Sequence, residues 1–473
     1  MHFASLVHHV QSDLIKRTNI NPNIVNHKDK SKTQRRQTVI LHPFKDFLNM
    51  ANSEDNKIVF SLEGKGLKLD SAEDVEQHFG RLREMEHVVE VRLQGNTLGV
   101  VPCQILGEIL RTKKNLHVAN LADIFTGRLL SEIPKALKYL LDALLTLPKL
   151  NKVILNDNAF GLKTSGPLVD FLSSHVPLQH LILNNNGLGP ESSIKVAEAL
   201  ILLHAKKEEA RKEGKDVPNL ETIICGRNRL ESSSMMAWAK VFSLHTGVKE
   251  VKMVQNGIRS IGIYVLLNDG LRHAKGIRIL DLEDNTFLTK GASALAKVAP
   301  GWIELQELGA GDCFMESKGS LLLVEALGQG MNHNLEVLRL QYNQLNSKAL
   351  NKLALVVKTA LPNLRKMALH GNRFEGENQD VETLRQLLSD RRDKLQNSST
   401  IDDDWGLDPF ESDESDESDE SEESEWKDSE PEDDKLRQRV LDMARDVLGA
   451  PICQPKEKDL VNQLTHKLEK IEI

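Results

Sequence analysis

One spacing constrains this chain more than any other feature: a short apolar–x–apolar stretch that ends, three residues on, in Asn. It recurs in "VRLQGNTLG" (91–99), "VILNDNAFG" (153–161), "LILNNNGLG" (181–189), "IICGRNRLE" (223–231), "VKMVQNGIR" (251–259), "LDLEDNTFL" (280–288), "LRLQYNQLN" (338–346) and "MALHGNRFE" (367–375). "LGAGDCFME" (308–316) carries Cys313 in the Asn slot. From Asn158 onward the slots lie 28, 42, 28, 29, 28, 30 and 29 residues apart. A period of this size marks a stacked array. The 62-residue gap from Asn96 to Asn158 holds two units, the hidden one being "LHVANLADIFTG". "VFSLEGKGLKL" (59–69) is an earlier, worn copy, which brings the count to about eleven.

Between these stretches the apolar period switches to that of a helix: "PLVDFLSSHV" places Leu168, Phe171, Leu172 and Val176 on one face. A single strand–turn–helix unit cannot bury both its strand face and its helix face, so neighbours must stack. The fold class is therefore α/β: a leucine-rich repeat solenoid, a ribonuclease-inhibitor-like crescent with a parallel inner sheet and outer helices. The slot Asn suits a structural role, since its side chain bonds backbone groups as the chain leaves the strand. Aromatics make up only 4% of the residues, so the core is aliphatic.

Four segments follow. Residues 1–57 form a basic leader, expected to be disordered, in which Met50 is read as a candidate start. Residues 58–395 are the repeat domain. Within it, the 42-residue spacing includes a charged insertion, 204–219, read first as a solvated excursion. Residues 396–434 form a disordered acidic region, and 435–473 a C-terminal amphipathic helical segment. Residues 402–434 carry 19 acidic side chains against Lys427 alone, a net of −18; within a total of −8 the remaining chain is about +10. Four scattered cysteines with no CxxC pair fit a reducing compartment. No 18-residue apolar run predicts a membrane span. Nucleotide-loop, zinc-hydrolase and serine-hydrolase signatures are absent, as are basic stripes interleaved with aromatics, so neither a bound cofactor nor nucleic acid is expected.

Residues that depart from the repeat are the candidates for function. Ile154, Ile182 and Ile224 occupy an outward slot on consecutive strands, either to stabilise neighbouring strands or to meet a partner. In "LILNNNGLG" the ladder needs only Asn186, so Asn184 and Asn185 are expected to face a partner. The hidden unit breaks the pattern: "ADIFTGRLLSEIPKAL" loses its Asn and presents Arg128, with Ser131 placed to cap the next helix. Arg128, Asp157–Phe160 and Asn185 should neighbour one another along one rim at roughly 5 Å strand spacing.

The stretches "ADIFTGRLLSEIPKAL", "LNDNAFG", "LNNNGLGP", "ICGRNRLE", "VKMVQNGIR" and "LDLEDNTF", in this order over about residues 58–380, resemble the Ran GTPase-activating protein family in its fungal form. The resemblance implies stimulation of GTP hydrolysis by Ran in support of nucleocytoplasmic transport. It implies a protein that orders Ran's own catalytic Gln and inserts no arginine finger. On the same basis Asn185 holds that Gln, Arg128 anchors the arrangement from outside the nucleotide pocket, and Asp157, Phe160, Asn184 and Arg229 bind the partner. Fungal relatives carry a basic residue within two positions of the Arg, where this chain has Leu129 and Leu130. The expected partner is Ran in its GTP form, together with a Ran-binding protein. The chain itself is expected to be a cytoplasmic monomer, concentrated around the nuclear envelope. As an activator without a cofactor of its own, it is expected not to be an enzyme. The alternative is a non-catalytic leucine-rich-repeat binding scaffold.

Overall fold

The computed structural model describes residues 58–395 and 405–410. The leader, the stretches 396–404 and 411–434, and the 435–473 helical segment lie outside the described residues.

The strands are β1 (Val59–Ser61), β2 (Lys68–Leu69), β3 (Glu90–Arg92), β4 (Thr97–Leu98), β5 (Val118–Asn120), β6 (Lys152–Ile154) and β7 (His180–Ile182). They continue with β8 (Thr222–Ile224), β9 (Glu250–Lys252), β10 (Ile279–Asp281), β11 (Glu307–Gly309), β12 (Val337–Arg339), β13 (Lys366–Ala368) and β14 (Gly406–Leu407). All but β2 and β4 form one 12-stranded sheet in chain order. Its pairings are parallel throughout. The first eleven of these strands are the eleven units. The middle residue of each points into the core: Phe60, Val91, Ala119, Val153, Leu181, Ile223, Val251, Leu280, Leu308, Leu338 and Met367 are all at most 5% exposed. Their flanking residues point to the other face, as strand alternation requires. Ile154, Ile182 and Ile224 pair directly in register there, a half-buried β-branched stripe.

The slot asparagines form a column, seven of the eight buried and Asn372 half-buried. Asn186 Nδ2 donates to the carbonyls of Leu155 (3.0 Å) and Leu183 (2.9 Å), while its Oδ1 accepts from Asn158 N at 2.8 Å. Asn186 N in turn donates to Asn228 Oδ1 at 2.9 Å, and Asn228 N to Asn256 Oδ1 at 2.9 Å. Cys313 donates its backbone N–H to Asn343 Oδ1 at 3.1 Å, and its thiol faces the Leu282 carbonyl at 3.4 Å. In the hidden unit the slot is filled by Ile124, fully buried, whose N–H reaches Asn158 Oδ1 at 3.0 Å. The column thus passes through that unit on backbone alone.

A second column, chemically mixed, ties helix ends to preceding units. Lys113 Nζ donates to the Arg83 and Met85 carbonyls (2.9 and 2.8 Å), and Asn332 Nδ2 to those of Ala299 and Trp302 (both 2.9 Å). His175 Nε2 donates to Leu150 O at 2.7 Å and His245 Nε2 to Leu200 O at 2.8 Å. Lys207, 1% exposed, spends its three protons on the Val176, Leu178 and Pro218 carbonyls. It belongs to the charged insertion, which is therefore built into the array: the helix Gly189–Lys212 runs on into it, and Lys207 anchors it. Toward the far end Arg339 bridges Asp281 (2.9 Å), Glu283 (2.5 Å) and Glu307 (2.7 Å). Gly309 makes room for it, since a Cβ there would lie 2.5 Å from Arg339 Nη2. Trp405–Phe410, read from sequence as part of the acidic disordered region, add β14 to the edge of β13. Trp405 Nε1 donates to Leu388 O (2.9 Å), and the Phe410 ring meets Phe374 edge-on (6.2 Å).

Replacing Asn186 with Ala strands the buried Asn158 N–H and takes one of two donors from the Leu155 and Leu183 carbonyls; it should cost about 2 kcal/mol, read as a lower chemical-denaturation midpoint. The buried histidines set a pH dependence. Burial pulls both His175 and His245 down to about 4, partly opposed by their carbonyl bonds. The unfolded chain therefore binds protons below about 6.5 that the folded chain refuses, and stability falls as pH drops from there toward 4. At pH 5 the loss should be about 2 kcal/mol per histidine, with a shallower slope for His175→Gln in melting curves across that range.

Candidate functional site

The residue just before each slot turns the chain out of the strand, and it does so in the left-handed region. Asp123 (φ 47), Asp157 (φ 61), Asn185 (φ 54), Arg227 (φ 55), Gln255 (φ 53), Asp284 (φ 55), Asp312 (φ 48) and Tyr342 (φ 54) share this conformation, with Gly95 and Gly371 in the same place in other units. Each non-glycine holds it at a cost of roughly 1–2 kcal/mol. The column below makes this conformation obligatory, because the next residue must face inward. The result is a rim of side chains at the strand ends. Backbone bonds pin it, among them Asp157 N to Asn184 O (3.0 Å) and Asn185 N to Gly226 O (2.9 Å).

Asp157 and Asn185 are both exposed, and Asn185 Nδ2 donates to Asp157 Oδ1 at 2.7 Å. Arg227 and Arg229 continue the rim, both exposed and both left-handed (φ 55). The rim therefore changes sign, acidic at Asp123 and Asp157 and basic at Arg227 and Arg229.

One expected partner residue, Phe160, is corrected. Phe160 is fully buried, its ring edge-on to Phe125 with centroids 6.5 Å apart. It fills the apolar slot two residues after Asn158, whose side chain points into the core, so it cannot touch a partner. Asn184, half-buried, has its side-chain oxygen committed within the array. Its Oδ1 accepts from Gly226 N at 2.6 Å, and its N–H donates to Asn156 Oδ1 at 2.7 Å. Asn156 and Asn184 form a short inner column beside the main one. Asn156 reads from sequence as one more polar position after the Ile stripe; its structural role is signalled by the repeated Asn two places before the slot, in "LNDN" and "LNNN".

Arg128 turns back into the array. Its Nε donates to Thr97 Oγ1 (2.9 Å), its Nη2 to the Leu69 (2.9 Å) and Thr97 (2.8 Å) carbonyls, and its Nη1 to the Asp70 carboxylate. Its side chain is only 9% exposed. Four of about five guanidinium donors are thus committed within the chain. The Arg128 hydrogen bond holds the Asp70 carboxyl below its usual range, despite slight desolvation. Thr97 Oγ1 also donates to Thr126 O at 2.7 Å, closing the loop from the other side. Leu129 and Leu130, 66% and 60% exposed, stand beside it, and Leu162 of the next unit is 49% exposed. Ser131 does not cap the following helix, Ile133–Leu144; Glu132 holds that position without a side-chain bond.

A Leucine Rich repeat family profile matches residues 332–354. The chain is 36% identical over 351 residues to Ran GTPase-activating protein 1 of Saccharomyces cerevisiae, covering 72% of this chain and 85% of that protein. It is 40% identical over 216 residues to Ran GTPase-activating protein 1 of Xenopus laevis, covering 45% of this chain and 36% of that protein. To the Ran GTPase-activating protein of Drosophila melanogaster it is 33% identical over 338 residues, covering 70% and 55%. These relatives stimulate GTP hydrolysis, which is a catalytic activity, and this overturns the expectation that such a chain is not an enzyme. A protein that lowers a barrier and is released unchanged is a catalyst, even when the nucleotide sits on its partner.

Arg128→Ala should leave the Thr97 carbonyl without its Arg128 donor and the Leu69 carbonyl with the Gly99 N–H (2.8 Å) in place of two donors. Hydrogen exchange at the Leu98 and Gly99 amides should accelerate, with a loss of about 2 kcal/mol in local opening energy. Lys at this position should rescue only part of it, because a point charge cannot reproduce the planar fork.

Proposed function

This chain belongs to the Ran GTPase-activating protein family, and we propose that its rim around Asp157 and Asn185 is where it acts on Ran. It stimulates GTP hydrolysis by Ran. In our reading the substrate is the GTP form, engaged by a monomer of this chain with a Ran-binding protein on the same complex. The protein works in the cytoplasm, concentrated around the nuclear envelope, in support of nucleocytoplasmic transport.

The observation that carries the site reading is the 2.7 Å bond from Asn185 Nδ2 to Asp157 Oδ1. It leaves Asn185 Oδ1, an acceptor, facing outward from an exposed and rigid position. In a small GTPase a Gln orients the attacking water. An acceptor held against that Gln's amide N–H would fix its angle, so that the barrier falls through positioning of groups Ran already owns. Arg128 contributes from behind, since its committed donors favour a clamp over a finger. Arg229, after β8, and the apolar Leu129–Leu130 pair, after β5, are exposed on loops that follow the sheet strands and supply contact to Ran.

Hydrolysis of Ran-bound GTP under single-turnover conditions for Ran, with this protein far below stoichiometry, should run to completion at an accelerated rate. Asn185→Ala should lower the maximal rate by about a hundredfold while the complex still forms. An unchanged maximal rate in that variant would remove Asn185 from the mechanism.

A further inference from the structure

We propose that Asp157 is a positioning residue that sets the orientation of the Asn185 amide, and that it makes no contact of its own with Ran. The inference rests on the reading of Asn185 given above. A terminal amide torsion is broad and roughly two-fold, so an exposed Asn ordinarily presents its oxygen and its NH2 to either side. Here the two ends are not equivalent. A carboxylate only accepts hydrogen bonds, so the group lying 2.7 Å from Asp157 Oδ1 must be Asn185 Nδ2, and Oδ1 must face away. The chemistry of the neighbour dictates the flip.

Everything else about Asn185 is already fixed. Its backbone N–H is bonded to Gly226 O at 2.9 Å. The residues on both sides of it, Asn184 and Asn186, are held by the inner and main columns. Asp157 is fixed in the same way, by its own N–H to Asn184 O at 3.0 Å and by the bond from Asn158 N to Asn186 Oδ1 at 2.8 Å. The side-chain torsions of Asn185 are thus its remaining freedom, and the Asp157 bond removes it. Elsewhere on the rim the same device recurs, with Thr126 Oγ1 donating to Asp123 Oδ1 at 2.5 Å.

The test compares Asp157→Gly, Asp157→Asn and Asn185→Ala, alone and combined, in stimulated hydrolysis of Ran-bound GTP with kcat and KM separated. Gly suits the deletion because it takes φ 61 without strain. Three χ1 wells and two amide orientations become open to Asn185 in Asp157→Gly, so kcat should fall about tenfold with KM unchanged. Asn at 157 also tolerates that backbone and keeps a bond, but it allows either amide orientation. It should restore kcat to within about twofold of the parent. Asp157→Gly added to Asn185→Ala should cost nothing further, and melting temperature serves as the control for folding. A raised KM in Asp157→Gly, or a further loss in the double variant, would make Asp157 a partner contact and overturn the proposal. Unchanged kcat in Asp157→Gly beside a slow Asn185→Ala would also overturn it. If Asn185→Ala itself is as fast as the parent, the reading beneath it fails instead.

Discussion

A single buried amide, repeated from unit to unit, holds this structure together. Asn186 shows what it does: its NH2 answers carbonyls of two units, and its oxygen answers the N–H of the unit before. Buried backbone groups without partners are expensive, and a chain that leaves a strand every thirty residues or so creates many of them. The column satisfies them with one residue per unit. It also dictates the conformation just before it, so the left-handed rim is a by-product of the same constraint. The candidate surface and the structural spine are adjacent residues because one forces the geometry of the other.

The sheet, its strand order and the column were legible because they repeat; eight asparagines in register say more than any one of them. What the sequence hid is what happens once. Asn184 reads as spare because the main column does not need it, but an inner column beginning at Asn156 does. Phe160 sits beside rim residues in sequence and on the opposite side of the chain in space, since two steps past the slot the chain has already turned inward. The partners of Arg128 lie 58, 59 and 31 residues away and carry no pattern that would announce them. The insertion at 204–219 reads as solvated because it is charged. The burial of Lys207 depends on three carbonyls supplied by other parts of the fold.

Its candidate site fits a shared reaction centre. A catalyst whose nucleotide and attacking water belong to its partner needs no pocket, cofactor or shifted pKa of its own. It needs a hard edge with one or two polar atoms aimed outward, and a rim pinned by two columns provides one. The half-buried Ile154–Ile182–Ile224 stripe lies on the same strands as the rim residues Asp157, Asn185 and Arg227, which stiffens them from the sheet side.

Stacked arrays behave to a first approximation as one-dimensional chains in which each unit interacts only with its neighbours, so end units fray independently. Arg128 breaks that rule. Standing in the third unit, it grips Thr97 in the second and Leu69 and Asp70 in the first. An interaction that skips a unit lengthens the correlation along the array: the first unit cannot peel away without also disturbing the third. Arg339 does the same near the other end, reaching from β12 past β11 to Asp281 and Glu283 beside β10. The two arginines act as splices that make the ends of a linear polymer melt in blocks, and the block at the front includes the loop that borders the candidate rim.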